Sequence, residues 1–363
     1  MDELSKSVFM IEKTRYFSKK IGSLAKGCRQ CVKGQKLVLF VTGICPRKCY
    51  FCPISDKKYQ HDVIYANERK VTNIYQIIEE AKLCSAKGAG FTGGDPLTRL
   101  ARTVKFIKAL KKKFGKKFHI HLYTSFDLVN KNSLQKLYNA GLDEIRFHAD
   151  IDNSSLWDRI ELADKFDWDV GIEIPVIPNK LKQTKKLIDF FHNKLSFLNL
   201  NELEIADNKM SRLSKLGFLT KTKVSYAVKG SEQTAIKLMK YIQNKKYSLN
   251  VHYCTAKLKD RVQLGERIKR RAKNIRKPYD IVDKEGLLIR GAIYAKNPAE
   301  LRKKLMKEFR IPKDLIEVEN KRLLTGAWII DELRQELKNK KLKIAIVKEY
   351  PTYDKLQVEV DFI

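Results

Sequence analysis

No apolar run in this sequence approaches the roughly 18 residues that would suggest a membrane-spanning helix. The N-terminus lacks the basic, apolar and small-residue regions of a secretory signal. Both absences argue against a membrane span and against export. The seven cysteines are an odd number in a chain of 363 residues, a poor basis for a disulfide framework, so a reducing cytoplasm is the expected compartment. No repeat at solenoid periods is present. Acidic residues are also short, 42 Asp plus Glu against 74 Lys plus Arg, a formal charge of +32. Such an excess attracts polyanions by counterion release, which makes RNA a candidate partner. A Lys-rich compositional bias is the alternative source of the same charge. The hydrophobic content of 43% is ample for a core, and the length fits one large domain plus a smaller one.

The stretch from Lys36 to Pro53 organises the chain. A run of β-formers, Leu37 to Val41, ends at Thr42-Gly43, and Cys45, Cys49 and Cys52 follow in the spacing C-x3-C-x2-C. Thiols this close can wrap an iron–sulfur cluster from one loop. Three of them leave one iron of a [4Fe–4S] cluster open to a further ligand, as catalytic metals generally keep a position open. A zinc site is the alternative, although zinc sites usually take four protein ligands in recognisable pairs.

This spacing, directly after a strand, resembles the radical S-adenosylmethionine (radical SAM) superfamily. A second match is Phe91-Thr92-Gly93-Gly94-Asp95-Pro96, similar to that family's Gly-Gly-Glu-Pro motif with Asp in place of Glu. The resemblance covers roughly residues 28 to 255. It implies a cluster on Cys45, Cys49 and Cys52, whose open iron chelates S-adenosylmethionine. One electron, from a donor such as reduced ferredoxin or flavodoxin, then cleaves the cofactor to methionine and a 5′-deoxyadenosyl radical that abstracts substrate hydrogen. It further implies that Phe51 packs on the adenine and that Gly93, Gly94 and Asp95 seat the amino group. Within the superfamily the chain most resembles proteins related to pyruvate formate-lyase activating enzyme, and Thr124-Ser125-Phe126 resembles the Thr-Asn-Gly turn of those enzymes.

The rest of the chain alternates in period. A loose helical spacing covers Phe9 to Leu24, Ser55 to Lys70 is polar and irregular, and a helix is expected from Thr72 to about Lys87. Strands are expected at 89–92, 118–124, 144–149, 170–175, 203–206 and 248–253, separated by helices that include Leu100–Phe114, Ser154–Phe166 and Glu232–Asn244. Alternating strands and helices imply a parallel sheet with right-handed crossovers. The expected fold is therefore α/β, a partial or nearly closed (β/α) barrel spanning 37–255. An extension (1–36), a basic linker or helix (256–285) and a small C-terminal α/β domain (286–363) complete the chain.

Ligands bind such folds at the carboxyl ends of the strands. By position the candidates there are Thr124, Ser125, His148, Asp150, Glu173, Asp207 and Asn208, of which Ser125, His148 and Glu173 are favoured for the cofactor. His119 and His121 lie inside a strand and suit packing or solvent contact. His61 and His192 suit the surface, and Cys84 a buried apolar position. Cys28 and Cys31 form a separate C-x2-C, while His252 and Cys254 share one face of the last barrel strand. Those four residues could complete a second site, for zinc or an auxiliary cluster. Ten basic residues lie between Lys257 and Lys277 against two acidic ones, a candidate phosphate-contacting helix or simply a solvated connector.

The sequence thus predicts a radical SAM enzyme acting on an unidentified substrate, with RNA as one candidate. Activation of a protein by a glycyl radical, and a non-catalytic iron–sulfur or zinc protein that binds nucleic acid, are the alternatives.

Overall fold

The computed structural model describes residues 10–363. The chain forms two compact units, one of residues up to Lys82 with Ala86–Leu264, the other of Leu83–Ser85 with Gly265–Ile363. The basic segment expected as a linker is therefore divided. Leu258–Leu264, a π-helical turn, belongs to the first unit and the helix after it to the second.

The first unit begins with β1 (Glu12–Lys13), β2 (Lys19–Ile21) and the short helix α1 (Lys26–Cys31). Next come β3 (Lys36–Phe40), β4 (Ile64–Ala66), β5 (Arg69–Val71) and α2 (Ile74–Leu83). The alternation continues through β6 (Gly88–Thr92), α3 (Leu100–Phe114), β7 (His119–Thr124), α4 (Lys131–Ala140) and β8 (Glu144–Phe147). It closes with β9 (Asp169–Val176), α5 (Leu181–Phe191), β10 (Phe197–Glu202), α6 (Ser231–Asn244) and β11 (Asn250–Cys254). The strands make one 11-stranded sheet in the order β1-β2-β11-β10-β9-β8-β7-β6-β3-β4-β5. The run from β3 through β6 to β11 is parallel throughout. Antiparallel β4 and β2 cover its two ends. Among the described residues β3 and β11 are not paired, so the barrel is partial.

Period two divides the core into two chemistries. Outward-facing Leu37, Leu39, Ile120, Leu122, Ile145 and Ile172 are all fully buried in one apolar cluster. The inner face is polar. It carries Lys36 on β3, His121 and Tyr123 on β7, Arg146 on β8, Glu173 on β9 and Asn199 and Asn201 on β10, with His148 just beyond β8. Helix α1 closes the amino-terminal end of this interior. The Gly27 amide donates to Glu144 Oε2 at 2.9 Å, and Arg146 Nη2 and Asn199 Nδ2 approach Cys28 Sγ at 3.5 and 3.3 Å. A Cβ on Gly27 would stand 2.5 Å from Arg146 Nη2 and 2.8 Å from His121 Nδ1, so glycine lets the helix enter.

Several expectations are corrected. Of the helix proposed over Phe9–Leu24, Phe9 lies outside the described residues, and the remainder holds the β1–β2 hairpin. Val251–Tyr253 of β11 pairs with Lys19–Ile21, and this pairing overrides a loose helical spacing. The Ser154–Phe166 helix is reduced to a 3-10 turn over Trp157–Leu162. There the Asp150 carboxylate accepts from the Asp152 amide, and Arg159 reaches the carbonyls of Phe126 and Asp127. The polar stretch from Ser55 to Lys70 hides strand β4 and the start of β5, turning at Asn67, which adopts a positive φ of 53°.

The second unit contains α7 (Gly265–Ile275), β12 (Ile281–Val282), β13 (Leu288–Tyr294), α8 (Pro298–Glu308), β14 (Ile316–Glu319) and β15 (Arg322–Thr325). It ends with α9 (Ala327–Glu332), α10 (Arg334–Asn339), β16 (Lys343–Glu349) and β17 (Gln357–Phe362). Helices α9 and α10 are separated at Leu333. The strands form an antiparallel sheet ordered β14-β15-β13-β16-β17, with β12 on β13. Its apolar core gathers Ile293, Leu305, Leu323, Ile330 and Ile344.

Candidate active site

The loop after β3 carries Cys45, Cys49 and Cys52, all half-buried and none in a disulfide. Four other segments pin it. The Gly43 amide donates to the His61 carbonyl at 2.8 Å, and Gln60 Nε2 donates to the Cys45 carbonyl at 2.8 Å. Arg47 bridges to the end of β8 through the His148 carbonyl and the Asp150 carboxylate, each at 2.8 Å. Asn208 Nδ2 donates to the carbonyls of Cys52 and Ile54 at 3.0 and 2.9 Å. Asp62, exposed in part, accepts from Thr42, Arg99 and Arg102, which hold its carboxyl well below the usual carboxylate range.

The Gly-Gly-Asp segment lies against the same loop. The Gly94 amide donates to the Thr42 carbonyl at 2.8 Å and the Asp95 amide to the Ile44 carbonyl at 2.9 Å. A Cβ on Gly94 would come within 2.3 Å of the Ile44 oxygen, so a side chain there would push the two segments apart. The Asp95 side chain is 1% exposed and turned into the protein. It accepts from the Leu97 amide, Thr124 Oγ1, the Ser125 amide and Ser125 Oγ at 2.8–3.0 Å. Asp95 and Ser125 therefore bind each other and tie the end of β6 to the end of β7.

One cavity of about 690 Å³ unites these parts. Its wall holds Cys45, Cys49, Cys52, Phe51, Gly93, Gly94, Asp95, Ser125, His148 and Glu173. Sequence reasoning had not singled out Arg47, Lys36, Tyr123 or Asn201, which also line it, and had left Cys31 and His121 with other roles. Extending the period-two reading of β7 from Thr124 back to Tyr123 and His121 would have found two of them. His148 packs on Phe51 with ring centroids 5.8 Å apart, and burial holds its imidazole down to about 4. Glu173 accepts from Arg146 Nη1, Asn199 Nδ2 and Asn201 Nδ2 at 2.7–2.9 Å. Against the cost of burial, the guanidinium and these amides keep it ionised, below the usual range.

The thiol spacing tests which metal group fits. A single tetrahedral zinc with Zn–S near 2.3 Å places its sulfurs about 3.8 Å apart. The three loop sulfurs do not all lie within 4.8 Å of one another. Three soft thiol ligands on one short loop are the donor set an iron–sulfur cluster takes. Burial pushes the Cys45 thiol up to about 12 and raises Cys49 and Cys52. A bound metal would favour their thiolate form.

The four residues expected to form a second metal site, Cys28, Cys31, His252 and Cys254, do not converge to single-ion distance. Among the described residues these four contribute to no group of three ligand atoms within 4.8 Å. Cys28 is taken up by Arg146 and Asn199, His252 Nε2 lies 3.1 Å from Ser18 Oγ, and Cys254 packs with Val32 and Leu258. The basic α7 is likewise less available than its composition suggests. Arg267 and Arg271 are buried, Arg271 donates to the Pro351 carbonyl, and Arg270 donates to the carbonyls of Cys84 and Ser85.

Comparison with known proteins agrees with the motifs. Residues 39–191 match the radical SAM superfamily, and residues 286–361 match a family described as a domain of unknown function. The chain belongs to the radical SAM superfamily and is an enzyme of that class. It is 43% identical over 360 residues to a protein of Methanocaldococcus jannaschii that carries the provisional name glycyl-radical enzyme activating enzyme, covering 95% of this chain and 94% of the relative. Solved structures with weaker likeness include the radical S-adenosylmethionine methyltransferase TsrM of Kitasatospora setae, at 9% identity and TM-score 0.40 over 74% of this chain and 56% of that one. Methylornithine synthase matches at 12% identity and TM-score 0.40, over 64% and 79%. No helix among the described residues is long and apolar enough to cross a membrane.

Proposed function

We propose that Cys45, Cys49 and Cys52 hold the [4Fe–4S] cluster at the mouth of the barrel. In this reading S-adenosylmethionine lies between that loop, Gly93-Gly94 and the ends of β7 to β9. The observation that carries it is the shared cavity, which sets three thiols and the glycine segment on one wall. Bound there, the two groups supply one-electron cleavage to methionine and a 5′-deoxyadenosyl radical that abstracts hydrogen from a substrate. The chain's own residues do the positioning. Phe51 offers a flat apolar face beside His148, suited to an adenine ring. Asp95 keeps β6 and β7 in register through Thr124 and Ser125. The inner walls exclude water and so protect a reactive intermediate. A reduced ferredoxin or flavodoxin is the proposed electron source, and seven cysteines without a disulfide fit a reducing cytoplasm.

Two substrate classes have specific support. RNA is favoured by the charge of +32, although three arginines of α7 are committed to internal bonds. A protein backbone glycine is favoured by the name of the M. jannaschii relative. The test is anaerobic reconstitution with iron and sulfide, followed by dithionite and S-adenosylmethionine. Wild type should form 5′-deoxyadenosine, and Cys49→Ala should bind less iron and form none. An intact, reduced cluster that yields no 5′-deoxyadenosine would refute the assignment. RNA that copurifies at low salt and is lost as salt rises would favour the first substrate class.

A further inference from the structure

The end of the barrel opposite the cysteine loop holds a cluster that the proposed reaction does not use. His119 opens β7, Glu144 opens β8 and Asp169 opens β9. Glu144 and Asp169 are register partners, and His119 lies two residues before His121, the partner of Glu144 on β7. Period two therefore turns all three side chains to one side of the sheet. One ligand atom from each lies within 4.8 Å of the other two, and among the described residues no other His, Cys, Asp or Glu side chains form such a group. The imidazole is what points to a ligand. His119 is 1% exposed, and its Nε2 has no hydrogen-bond partner. That nitrogen stands 3.5 Å from Glu144 Oε2, long for a hydrogen bond. Two ligands of one tetrahedral zinc stand about 3.4 Å apart, so the separation suits a bridging ion. The Asp169 carboxylate, at the rim, has no hydrogen bond or ion pair among the described residues, and Lys26 and Arg29 of α1 act on it only from beyond ion-pair distance.

We propose that His119 Nε2 and the carboxylates of Glu144 and Asp169 bind a zinc ion at the amino-terminal floor of the barrel, a structural site separate from the cysteine loop. None of the three residues lines the cavity of that loop, so the proposal is independent of the radical SAM reading. The neighbours leave the ligand atoms available. Glu144 gives Oε1 to Arg146, while Oε2 accepts from the Gly27 amide at 2.9 Å and keeps a second lone pair. His119 Nδ1 faces Lys36 Nζ at 2.8 Å. Lys36 is 4% exposed, and burial favours its neutral amine. That amine accepts the Nδ1 proton and leaves the Nε2 lone pair for the metal, the outer partner that a metal-bound imidazole needs. An imidazole with two carboxylates is a borderline donor set that zinc accepts. Because Asp169 lies at the rim, water fills the remaining position. The ion ties together the amino ends of three neighbouring strands and, through Glu144, the Gly27 turn of α1.

The test uses the full chain reconstituted with iron and sulfide, so that the loop cysteines are occupied. The protein is equilibrated with zinc sulfate and freed of loose metal by gel filtration, and zinc and iron are then counted separately by elemental mass spectrometry. Wild type should retain about one zinc ion per chain beyond its iron. Asp169→Ala, which removes no hydrogen bond, and His119→Gln should each weaken zinc binding at least tenfold and leave the iron content unchanged. Cys31→Ser, which removes a nearby soft donor, should leave the zinc content at the wild-type value. Zinc should raise the melting temperature of wild type and not that of Asp169→Ala. In crystals of the zinc-treated protein, anomalous scattering at the zinc edge should place the ion about 2.0–2.1 Å from His119 Nε2. Zinc retained by Asp169→Ala as by wild type overturns the proposal. So does a wild type that retains none, zinc lost in Cys31→Ser, or an anomalous peak elsewhere in the molecule.

Discussion

Arg146 is the residue on which the barrel interior turns. It is 2% exposed and donates to Glu144 Oε1 at 2.6 Å, to Glu173 Oε2 at 2.7 Å and to the Tyr123 hydroxyl at 3.0 Å. Two buried carboxylates therefore depend on one guanidinium. A buried charge stripped of its partner is costly, about 3–5 kcal/mol. Arg146→Met should lose stability on that scale in urea unfolding, and a loss under about 1 kcal/mol would mean that the network contributes no more than a surface ion pair. Asp95 poses the same question in neutral form. Asp95→Asn puts an amide NH2 where the Ser125 amide and hydroxyl both donate, leaving donors without acceptors. The expected cost is about 1–3 kcal/mol, with iron incorporation on the neighbouring loop reduced. Wild-type stability and iron content in this variant would contradict the positioning role given to Asp95. In the sequence, Asp95 was expected at the site from the resemblance of Gly-Gly-Asp-Pro to the family motif, and Glu173 from its place on a strand. It could not tell that Asp95 turns inward, because three of its four donor contacts come from Thr124 and Ser125, 29 and 30 residues further along the chain.

Among the elements, α1 is the least expected and the most consequential. Its six residues, Lys-Gly-Cys-Arg-Gln-Cys, have too little apolar content to be read as a helix that fills a barrel. They do so because the strands around them present polar side chains, so hydrogen bonds rather than apolar area hold the helix. Gly27→Ala tests that packing. The added methyl would overlap Arg146, His121 and Glu144, and overpacking of this kind costs about 1–3 kcal/mol. The variant should melt earlier, and Cys28 should become open to alkylation as the helix lifts. An unchanged melting temperature with Cys28 still protected would show that α1 sits less tightly than described. Most strands were easier to read than the loops, although β10 lies at Phe197–Glu202 and not at the expected 203–206. Each parallel strand has an apolar outer face fixed by period two, whereas Trp157–Leu162 and β4–β5 take their shapes from contacts distant in sequence.

At the scale of the whole molecule, the polar interior makes stability depend on pH. Burial keeps four histidines neutral: His119 is held down to about 2, His148 and His252 to about 4, and His121 well below its ordinary value. In the unfolded chain each titrates near 6.5. Below that pH the unfolded state binds more protons than the folded one, so stability falls as pH falls, by up to about 1.4 kcal/mol per pH unit for each histidine. The depressed Glu173 adds loss in the same direction in the acid range. Urea midpoints measured at pH 7.5, 6.5 and 5.5 should drop, and drop faster between the last two. A flat profile would place these histidines in contact with water. The net charge of +32 is the other global property. It was legible from composition, but the burial of Arg267 and Arg271 was not.

By itself the sequence determined the chemistry and the class of fold. C-x3-C-x2-C after a β-run, Gly-Gly-Asp-Pro at the next strand end, and alternating periods of 2 and 3.6 are local patterns, and local patterns survive without coordinates. Only the tertiary structure decided which of the remaining polar residues meet. It turned Asp95 into the protein, set His252 against Ser18, and brought Cys31 to the cavity of the cluster loop. Those outcomes depend on how far a strand pair or a helix reaches across the barrel, and that distance is set by packing between segments as much as 238 residues apart, where one-dimensional spacing carries no information.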